Sequence, residues 1–412
     1  MLLRRFLERI IHIGQLTVID ADGVTHRIGP GGEPAVTVRL HDRALHWKVF
    51  LRPELYTGEA YMDGTLTIEN ASLYDFLDLM GHNFQATGEE PLRRGVARFD
   101  QPLRRLRQLN SLARARRNAA HHYDLSGALY DLFLDADRQY SCAYFLRRGD
   151  SLDEAQQQKR RHIAAKLLLE PGMRVLDIGS GWGGLGIWFA ECLGASVTGI
   201  TLAEEQLKVA RTRATQRGLA DRAQFFLRDY RQETGVYDRV VSVGMFEHVG
   251  VGHYDEFFGC VRDRLTGNGL ALLHTIGRID GPGFTNPWVR KYIFPGGYTP
   301  ALSEIVRSIE RTGLWITDVE ILRLHYAETL RRWRERFHAN RERAKQIYDE
   351  RFCRMWEFYL AGCEMSFRYR GLVVFQIQLA NRVDSVPSTR DYMIGSARAL
   401  AEMERQDSER AA

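Results

Sequence analysis

The chain of 412 residues lacks several features that would place it in a special class of protein. No apolar run approaches the roughly 20 residues that span a bilayer, and the longest, GLVVFQIQLA at 371–380, suits a core strand. The N-terminus, MLLRRFLERIIHIG, is interrupted by charges and has no small-residue cleavage site, which argues against a secretory signal. The five cysteines form no CxxC pair, so reduced thiols in a cytoplasmic protein are the simplest interpretation.

The sequence also lacks the spacing of a metal site. His121 and His122 are adjacent, but no HxxxH or Cys/His cluster accompanies them, so no metal is expected. Hydrophobic residues make up 44% and charged residues 26% of the chain, as in an ordinary globular protein. The length allows two or three domains with a large buried core.

Positive charge is concentrated in one segment. Residues 91–118 contain nine arginines and a single acid, a net charge of +8, whereas residues 1–90 carry a net charge of −5. On composition alone, this segment is either a solvated helical linker whose arginines pair elsewhere in the fold or a site for an anionic membrane, nucleic acid or an acidic partner.

Residues 14–70 read as short strands, and a helix follows them. LTVIDADGVTHRIG predicts a hairpin that turns at Asp22 and Gly23. AVTVRL, ALHWKVFL and GTLTIE continue the alternation, and ASLYDFLDLM is a predicted helix with Asn70 as its N-cap. We expect a small α+β domain at 1–90, a basic helical linker at 91–118, a larger domain at 119–400 and a polar tail at 401–412.

From about residue 150 the pattern alternates between strand and helix. The predicted strands are MRVLDI, SVTGIT, QFFLRD, DRVVSVG and LALLHTI, and amphipathic helices separate the first of them. Apolar runs of this kind are buried on both faces, which indicates an α/β fold with a mostly parallel sheet and helices on both faces.

A glycine-rich turn, VLDIGSGWGG at 175–184, follows the first strand of this pattern. Gly179 and Gly181 allow a sharp turn and a close approach to a ligand at the carboxyl end of the strand. Dinucleotide sites use a similar turn, but the second strand ends in Thr201 and offers no carboxylate for a ribose. Asp177 is placed to accept from the amino group of a methionine moiety. The turn therefore favours S-adenosylmethionine mildly over NAD.

Eight sequence blocks between about residues 119 and 380 give a more specific signal. They are HHYDLS (121–126), YSCAYF (140–145), VLDIGSGWGG, GITLAEEQ (199–206), VSVGMFEHVG (241–250), LLHTIG (272–277), KYIFPGG (291–297) and ERFCRMWEFYLAGCEMSFR (350–368). Together they resemble the cyclopropane-fatty-acyl-phospholipid synthase family, which is related to the mycolic acid cyclopropane synthases. The N-terminal domain also resembles that of the bacterial phospholipid-acting members. Ser180 stands where the family usually has cysteine.

The resemblance implies a class I methyltransferase fold, with a Rossmann-like sheet, that uses S-adenosylmethionine. Matching positions one by one gives the implied cofactor-binding residues, which are Tyr140, Ser141, Asp177, Gly179, Gly181, Thr201, Gln206, Asp229, Tyr230 and Arg231. From the residues alone, Tyr230 at a strand end is either a stacking partner for a purine or a partly exposed strand-end tyrosine.

The implied reaction sets chemical requirements on the rest of the site. If an alkene attacks the sulfonium methyl group, a carbocation forms, and the enzyme must keep it dry, stabilise its charge and remove a proton with a modest base. Family members bind bicarbonate as that base, so the resemblance implies bicarbonate as a second cofactor. The matching positions are Cys142, Glu247, His274, the backbone of Ile276 and Tyr326.

Individually these positions have simpler interpretations. His274 lies in an apolar strand and reads as a satisfied core histidine, and Cys142 alone reads as a small core residue. Cys363 matches another position proposed as catalytic in the family. Methyl transfer to an alkene needs no thiolate, however, and YLAGCEMSF reads as a buried helix face.

The implied substrate suggests a function for the basic segment at 91–118. Phospholipid acyl chains lie within the bilayer, so we expect the enzyme to be cytoplasmic and peripherally bound to the inner face of the cell membrane, with arginines of 91–118 on anionic headgroups rather than on nucleic acid. The N-terminal helix, with Leu3, Phe6 and Leu7 on one side, either lies in the membrane interface or packs on its own domain or on the second subunit of a homodimer.

The leading hypothesis is the conversion of cis double bonds in membrane phospholipids into cyclopropane rings. One alternative is methylation of the same lipids without ring closure, which leaves a branched or methylene product. A small-molecule N-methyltransferase is a more distant alternative, since such enzymes generally lack the N-terminal domain and His274. A non-catalytic lipid-binding protein would explain the basic segment but not a complete cofactor turn.

Overall fold

The structure of the protein, a computed structural model, describes residues 2–87 and 126–411. The predicted basic linker at 91–118 and the pair His121 and His122 lie outside these residues. Within the described ranges, no helix is both long enough and apolar enough to cross a membrane. The described elements build two sheets, one of four strands and one of seven.

The N-terminal domain is built on the four-stranded sheet, in the order β2-β1-β3-β4. Its elements are α1 (Leu2–Glu8), β1 (Gly14–Ile19), β2 (Thr25–Gly31), β3 (Ala35–Leu40), α2 (Leu45–Leu51), α3 (Pro53–Met62), β4 (Leu66–Ile68) and α4 (Leu73–Thr87). β1 and β2 form the predicted antiparallel hairpin, whereas β1 and β3 run parallel. Apolar side chains from the sheet and the helices form one core.

The prediction that ALHWKVFL is a strand was wrong, because these residues form helix α2. Their alternating apolar side chains suggested a half-buried strand. The carboxylate of Asp42, however, accepts a 2.8 Å hydrogen bond from the Ala44 N–H just before the helix, and such local bonds favour helix initiation. In the helix, Leu45 is buried while Trp47 and Leu51 are exposed, so the alternation does not mark one buried face.

The predicted cap of α4 was also wrong. Ser72 and Asp75 bond reciprocally, since the Asp75 carboxylate accepts from the Ser72 N–H at 2.8 Å and the Ser72 hydroxyl accepts from the Asp75 N–H at 3.2 Å. Asn70 instead accepts from the Thr37 N–H at 2.6 Å. The side chain of Asn70 therefore ties the chain to β3 rather than capping the helix.

The N-terminal helix α1 packs on its own domain and does not present an apolar face to a membrane. Leu3, Leu7, Ile10 and Ile11 are all buried in the domain core, and Phe6 packs edge-on against Phe50 of α2. The structure therefore supports the alternative in which this helix packs on its own domain. Its apolar side chains lie in that core and provide no contact surface for a second subunit.

The larger sheet has the order β10-β11-β9-β8-β5-β6-β7. Its strands are β5 (Arg174–Ile178), β6 (Ser196–Thr201), β7 (Ala223–Leu227), β8 (Tyr237–Val243), β9 (Leu265–Arg278), β10 (Trp315–Ile321) and β11 (Leu372–Ala380). β5 to β9 are parallel, and β10 and β11 add an antiparallel edge. The predicted α/β sheet is confirmed, and GLVVFQIQLA is its buried strand β11.

Helices cover both sides of this sheet. The helices in this part of the chain are α5 (Gly127–Tyr130), α6 (Leu152–Lys166), α7 (Gly184–Leu193), α8 (Glu204–Gln216), α9 (Tyr254–Arg264), α10 (Pro287–Tyr292), α11 (Leu302–Glu310), α12 (His325–Ala339), α13 (Arg341–Ile347), α14 (Glu350–Tyr369) and α15 (Asp391–Ala411), with 3₁₀ turns at Tyr230–Gln232, Phe246–His248 and Val251–His253.

The two sheets are joined through helices. The hydroxyl of Tyr369, at the end of α14, donates to Asp78 of α4 at 2.8 Å. Arg370 bonds to Glu54 of α3 at 3.0 Å, and the Trp288 indole of α10 lies 3.1 Å from the sulfur of Met62. The N-terminal domain therefore rests on α10 and α14.

Candidate active site

The glycine-rich turn lies between β5 and α7, at the carboxyl edge of the parallel strands. Gly179 and Gly181 have φ values of +86° and +54°, which other residues rarely adopt. A Cβ on Gly179 would lie 2.7 Å from the Cβ of Met245. The Gly179 N–H donates to the Ile200 carbonyl at 2.9 Å, so the turn is held against the end of β6.

A cleft opens at this turn, with about 1220 Å³ of space including its mouth. All ten residues predicted for the cofactor line it, from the YSCAYF segment, β5, the turn, the end of β6, α8 and the segment after β7. Gln139, Met245 and His248 also line the cleft. The sequence analysis missed Gln139 and Met245, although Gln139 is adjacent to a predicted site residue and Met245 lies in a family block. His248 follows a buried strand together with Glu247, and such adjacent polar residues are expected to be functional.

Asp177 supplies a buried carboxylate in the cleft. The residue is 2% exposed, and its Oδ2 atom has no hydrogen-bond partner among the described residues. Burial raises its pKa to about 7. A buried unpaired carboxylate is costly, so this side chain suits a cationic ligand group such as the amino group of a methionine moiety.

A buried lysine holds two cleft residues in place. The Nζ of Lys159, on α6, donates to the Ser141 hydroxyl and to the Gln139 side-chain carbonyl, both at 2.8 Å. Lys159 is fully buried, and burial lowers its pKa to about 8. Sequence reasoning missed Lys159 because it lies in a helix with many polar residues, DEAQQQKRRHIAAK.

The segment after β7 is fixed by its own side chains. The carboxylate of Asp229 accepts two hydrogen bonds from the Arg231 guanidinium, at 2.7 and 2.8 Å, and also caps the 3₁₀ turn. The Tyr230 ring packs edge-on against Phe257 at 5.2 Å between centroids. Asp229 and Arg231 therefore shape this wall of the cleft whatever ligand it binds.

At the end of β6, Thr201 starts the loop into α8. Its hydroxyl accepts from the Ala203 N–H at 3.2 Å and lies 3.4 Å from the side-chain oxygen of Gln206. Both Thr201 and Gln206 are buried, so their polar groups face the cleft from adjacent positions.

Glu247 and Ile276 meet beside the cleft. Glu247 lies in the 3₁₀ turn after β8, and its Oε1 atom accepts a 2.5 Å hydrogen bond from the Ile276 N–H of β9. Its Oε2 atom is buried and has no hydrogen-bond partner among the described residues. Burial raises the pKa of Glu247 to about 7, against the opposing effects of the Ile276 hydrogen bond and of the Thr275 side chain beside the carboxylate.

His274 lies two residues before Ile276, on the same face of β9. Its Nδ1 atom is 3.1 Å from the Gln376 amide nitrogen of β11. Burial, with the nearby charges of Lys159 and Lys166, holds the pKa of His274 well below its ordinary value. The imidazole is therefore neutral, and one of its nitrogens already has a partner in the core.

The remaining predicted positions, Cys142, Tyr326 and Cys363, pack in one hydrophobic cluster together with Ile276. The rings around them include Tyr140, Trp333 and Phe367, with the Tyr326 ring 4.8 Å from that of Phe367. Burial raises the pKa of both thiols, that of Cys363 to about 12. The thiols are therefore neutral at physiological pH.

The structure thus gathers the predicted side chains into two adjoining groups. Ten residues line the cleft, while Cys142, Ile276, Tyr326 and Cys363 pack in a hydrophobic cluster that Tyr140 and Trp182 share with it. Glu247 is joined to this cluster by its hydrogen bond to Ile276, and His274 lies in the neighbouring part of β9. The model of the mycolic acid cyclopropane synthetase family matches residues 110–377, well over half of the chain. The chain belongs to this family.

Two relatives of the chain align with nearly its whole length. It is 36% identical over 387 residues to a probable fatty acid methyltransferase of Pseudomonas putida, which covers 90% of this chain and 94% of the relative. It is 37% identical over 365 residues to the cyclopropane-fatty-acyl-phospholipid synthase of Escherichia coli K12, covering 87% and 91%.

Solved structures agree with the fold. The mycolic acid cyclopropane synthase CmaA1, in complex with SAH and CTAB, matches with a TM-score of 0.62 and 32% identity over 66% of this chain and 99% of that chain. The chain is accordingly an S-adenosylmethionine-dependent methyltransferase with a class I fold. The hypothesis of a non-catalytic lipid-binding protein is wrong.

Proposed function

We propose that this enzyme transfers a methylene group from S-adenosylmethionine to cis double bonds of phospholipid acyl chains and forms cyclopropane rings. The observation that carries the proposal is the Glu247 carboxylate, held by the Ile276 N–H at 2.5 Å with its second oxygen unpaired among the described residues. The E. coli relative, a cyclopropane-fatty-acyl-phospholipid synthase, supports the choice of substrate.

The cleft fits the proposed methyl donor. SAH, present in the CmaA1 structure, is the demethylated product of S-adenosylmethionine, which when bound supplies an electrophilic methyl group. Asp177 offers a buried carboxylate for the cationic amino group, while Thr201 and Gln206 offer polar atoms beyond the second strand. The positive φ values of Gly179 and Gly181 let the backbone approach the ligand.

The apolar cluster fits an intermediate that carries positive charge. The Tyr140 ring lies 5.1 Å from Trp333, and the Tyr326 ring lies 5.8 Å from Trp333. Aromatic faces attract cations, and a neutral His274 adds no opposing charge. Water is excluded because Trp333 and the residues around it are buried, which protects a carbocation from hydrolysis.

Proton removal from the new methyl group closes the ring, and the chain's own groups suit a small bound acid–base partner. The free Oε2 of Glu247 is an acceptor that bicarbonate, with its O–H donor, would satisfy. Bicarbonate, when bound, would supply a modest base for that proton. Cys142 and Tyr326 pack in the same cluster as Ile276, so the set predicted from the sequence is compatible with this role.

Methylation without ring closure is a second candidate. The P. putida relative is a probable fatty acid methyltransferase, and a relative from Mycobacterium tuberculosis, 40% identical over 280 residues, is a tuberculostearic acid methyltransferase. The Glu247 arrangement is needed for proton removal in either case, so it does not by itself choose between a ring and a branched product.

We also propose that the N-terminal domain is lipid-associated and that the enzyme acts at the inner face of the cell membrane. The supporting observation is that α3 and α4 of this domain rest on α14, the helix that carries Cys363. The domain is thereby coupled to the wall of the apolar cluster.

The test is incubation with labelled S-adenosylmethionine and vesicles of cis-unsaturated phospholipid. Label in the acyl chains with loss of the alkene supports lipid methylenation. Label in the headgroup or in an added amine, with none in the acyl chains, would overturn the proposed substrate.

A further inference from the structure

An exposed patch of leucine, isoleucine and arginine side chains lies on the methyltransferase domain. Two chain segments form it, the loop after YSCAYF and the turn between β10 and α12. The residues of this patch, which we call the Leu146 patch, are Leu146, Arg147, Arg148, Ile321, Arg323 and Leu324. Leu146 is 66% exposed and Leu324 is 55% exposed, although both are large and apolar.

The two segments are in contact. The N–H of Phe145 donates to Nδ1 of His325 at 3.0 Å, and the ring of Tyr144 stacks on that of His325 at 4.8 Å between centroids. Because Leu146 follows Phe145 and Leu324 precedes His325, the two exposed leucines belong to one continuous surface.

The patch is cationic as well as apolar. The side chains of Arg147, Arg148 and Arg323 are exposed and form no ion pair with a carboxylate among the described residues. Of the nearby acids, Glu320 bonds His162 and Lys166, both at 2.6 Å, and Asp150 is buried. Glu154 interacts electrostatically with Arg147, which leaves Arg148 and Arg323 to give the patch its net positive charge.

Two other exposed apolar side chains have an ion pair beside them. Near Trp47, which is 59% exposed, Lys48 pairs with Asp42 at 3.5 Å. Near Val383, which is 62% exposed, Arg382 pairs with Asp384 at 2.6 Å. The Leu146 patch has three exposed arginines without an ion pair among the described residues, whereas the surface around Trp47 and Leu51 has one, Arg52.

Both halves of the patch continue directly into the active site. Cys142 lies four residues before Leu146, and Tyr326 lies two residues after Leu324, and both are buried in the apolar cluster. A ligand that contacts the patch would thus contact the outer ends of the two segments that carry these residues.

We propose that the Leu146 patch is a docking surface for an anionic phospholipid bilayer. The proposal rests on the proposed lipid substrate. The arginines attract anionic headgroups near the surface, and the leucines and Ile321 bury apolar area at the level of the headgroups. Docking here presents the active-site segments to the membrane from which the acyl chain must come.

The experiment compares vesicle binding of full-length variants by co-sedimentation. The variants are the triple variant Arg147→Gln, Arg148→Gln and Arg323→Gln, and the double variant Leu146→Ser and Leu324→Ser. The matched control, Trp47→Ser with Leu51→Ser, removes two exposed apolar side chains from helix α2. All five positions of the patch variants are exposed, so thermal unfolding should match that of the wild type.

On vesicles rich in phosphatidylglycerol, we expect the triple variant to bind at least about tenfold more weakly. The double variant should also bind more weakly, while the control binds like the wild type. Wild-type binding by both patch variants would overturn the proposal, and so would a loss confined to the control, which would assign docking to the N-terminal domain.

A parallel assay with detergent-dispersed phospholipid separates the docking surface from the proposed function. We expect both patch variants to transfer methyl groups to dispersed lipid at the wild-type rate, because neither alters the cleft or the apolar cluster. Slowed transfer to dispersed lipid by the patch variants would contradict a docking role. Absence of transfer by the wild type itself would overturn the proposed function, and the vesicle comparison would still decide the role of the patch.

Discussion

The backbone N–H of Ile276 donates a 2.5 Å hydrogen bond to Oε1 of Glu247 and so joins the end of β9 to the turn after β8. One oxygen of the carboxylate is thereby fixed, and the other, Oε2, is left buried without a hydrogen-bond partner among the described residues. A fold gains nothing from an unpaired buried acceptor. We therefore interpret Glu247 as a residue kept for the reaction.

Replacing Glu247 with Gln tests this interpretation. The amide can still accept from the Ile276 N–H but cannot carry the negative charge, so we expect methyl transfer to fall about a hundredfold or more. Binding of S-adenosylmethionine, measured by calorimetry, should stay within about twofold of the wild type because the cofactor cleft is unchanged. Transfer at the wild-type rate would remove Glu247 from the mechanism.

Asp177 should show opposite effects on binding and on stability. In Asp177→Asn the unpaired buried carboxylate is gone, so the free protein should be more stable at pH 8 by about 1 to 3 kcal/mol. The affinity for S-adenosylmethionine should fall at least about tenfold, since the amino group loses its ionic partner. A variant that is less stable and binds the cofactor normally would contradict both assignments.

The pH dependence of this stability difference has a definite sign. Burial raises the pKa of Asp177 to about 7 from the ordinary 3.8, so the folded state holds this proton more tightly than the unfolded state. The Asp177 contribution therefore lowers the stability of the wild type as the pH rises from about 4 to 7. The advantage of Asp177→Asn should be small at pH 4, grow to about pH 7 and then stay constant. Denaturant unfolding across this range measures it, and an advantage that shrinks with rising pH would be inconsistent with a buried neutral acid.

Lys159 is a positioning residue for Ser141 and Gln139. Lys159→Met should raise the KM for S-adenosylmethionine about tenfold or more with a smaller change in kcat, because the lysine touches cofactor residues but not the reacting atoms. In a double-mutant cycle with Ser141→Ala, the two effects should not add. Additive effects, or a uniform loss of stability without a change in KM, would indicate that Lys159 is structural only.

Cys363 should be dispensable for the chemistry. Burial raises the pKa of its thiol to about 12, so no thiolate is available at neutral pH, and an alkene needs no nucleophile from the protein. Cys363→Ala should keep at least about half of the wild-type activity. A loss as large as that of the Glu247 variant, in a protein with normal thermal unfolding, would show that the thiol takes part.

The sequence predicted the sheet and the glycine-rich turn well because their signals are local, whereas most other residues that line the cleft were indicated by the family resemblance. The apolar runs of β5 to β9 and the turn at Gly179 and Gly181 can be read without knowing what packs on them. Helix α2 was mistaken for a strand because its apolar and polar residues alternate from Leu45 to Leu51. That pattern gave no weight to Asp42, whose carboxylate accepts a hydrogen bond from the Ala44 N–H at the start of the helix. The sequence could not show which side chains are buried by segments distant in the chain. Lys159, which lies on a helix with many polar residues and is fully buried, is an example.

The apolar cluster shows the same limit. Cys142, Tyr326 and Cys363 come from three distant segments, and only tertiary packing brings them together. No local pattern marks Tyr326, and its position followed from the resemblance alone. The contact between Glu247 and Ile276 also spans two strands, so the family blocks indicated both residues but not their hydrogen bond.

The most direct test of the proposed function uses S-adenosylmethionine with a trideuterated methyl group and vesicles of a cis-monounsaturated phospholipid, followed by mass spectrometry and proton NMR of the acyl chains. Ring closure predicts a product that keeps two deuterium atoms, has lost the alkene signal and contains a cyclopropane. A saturated branch that keeps all three deuterium atoms, or a product with a remaining double bond, would contradict cyclopropane formation.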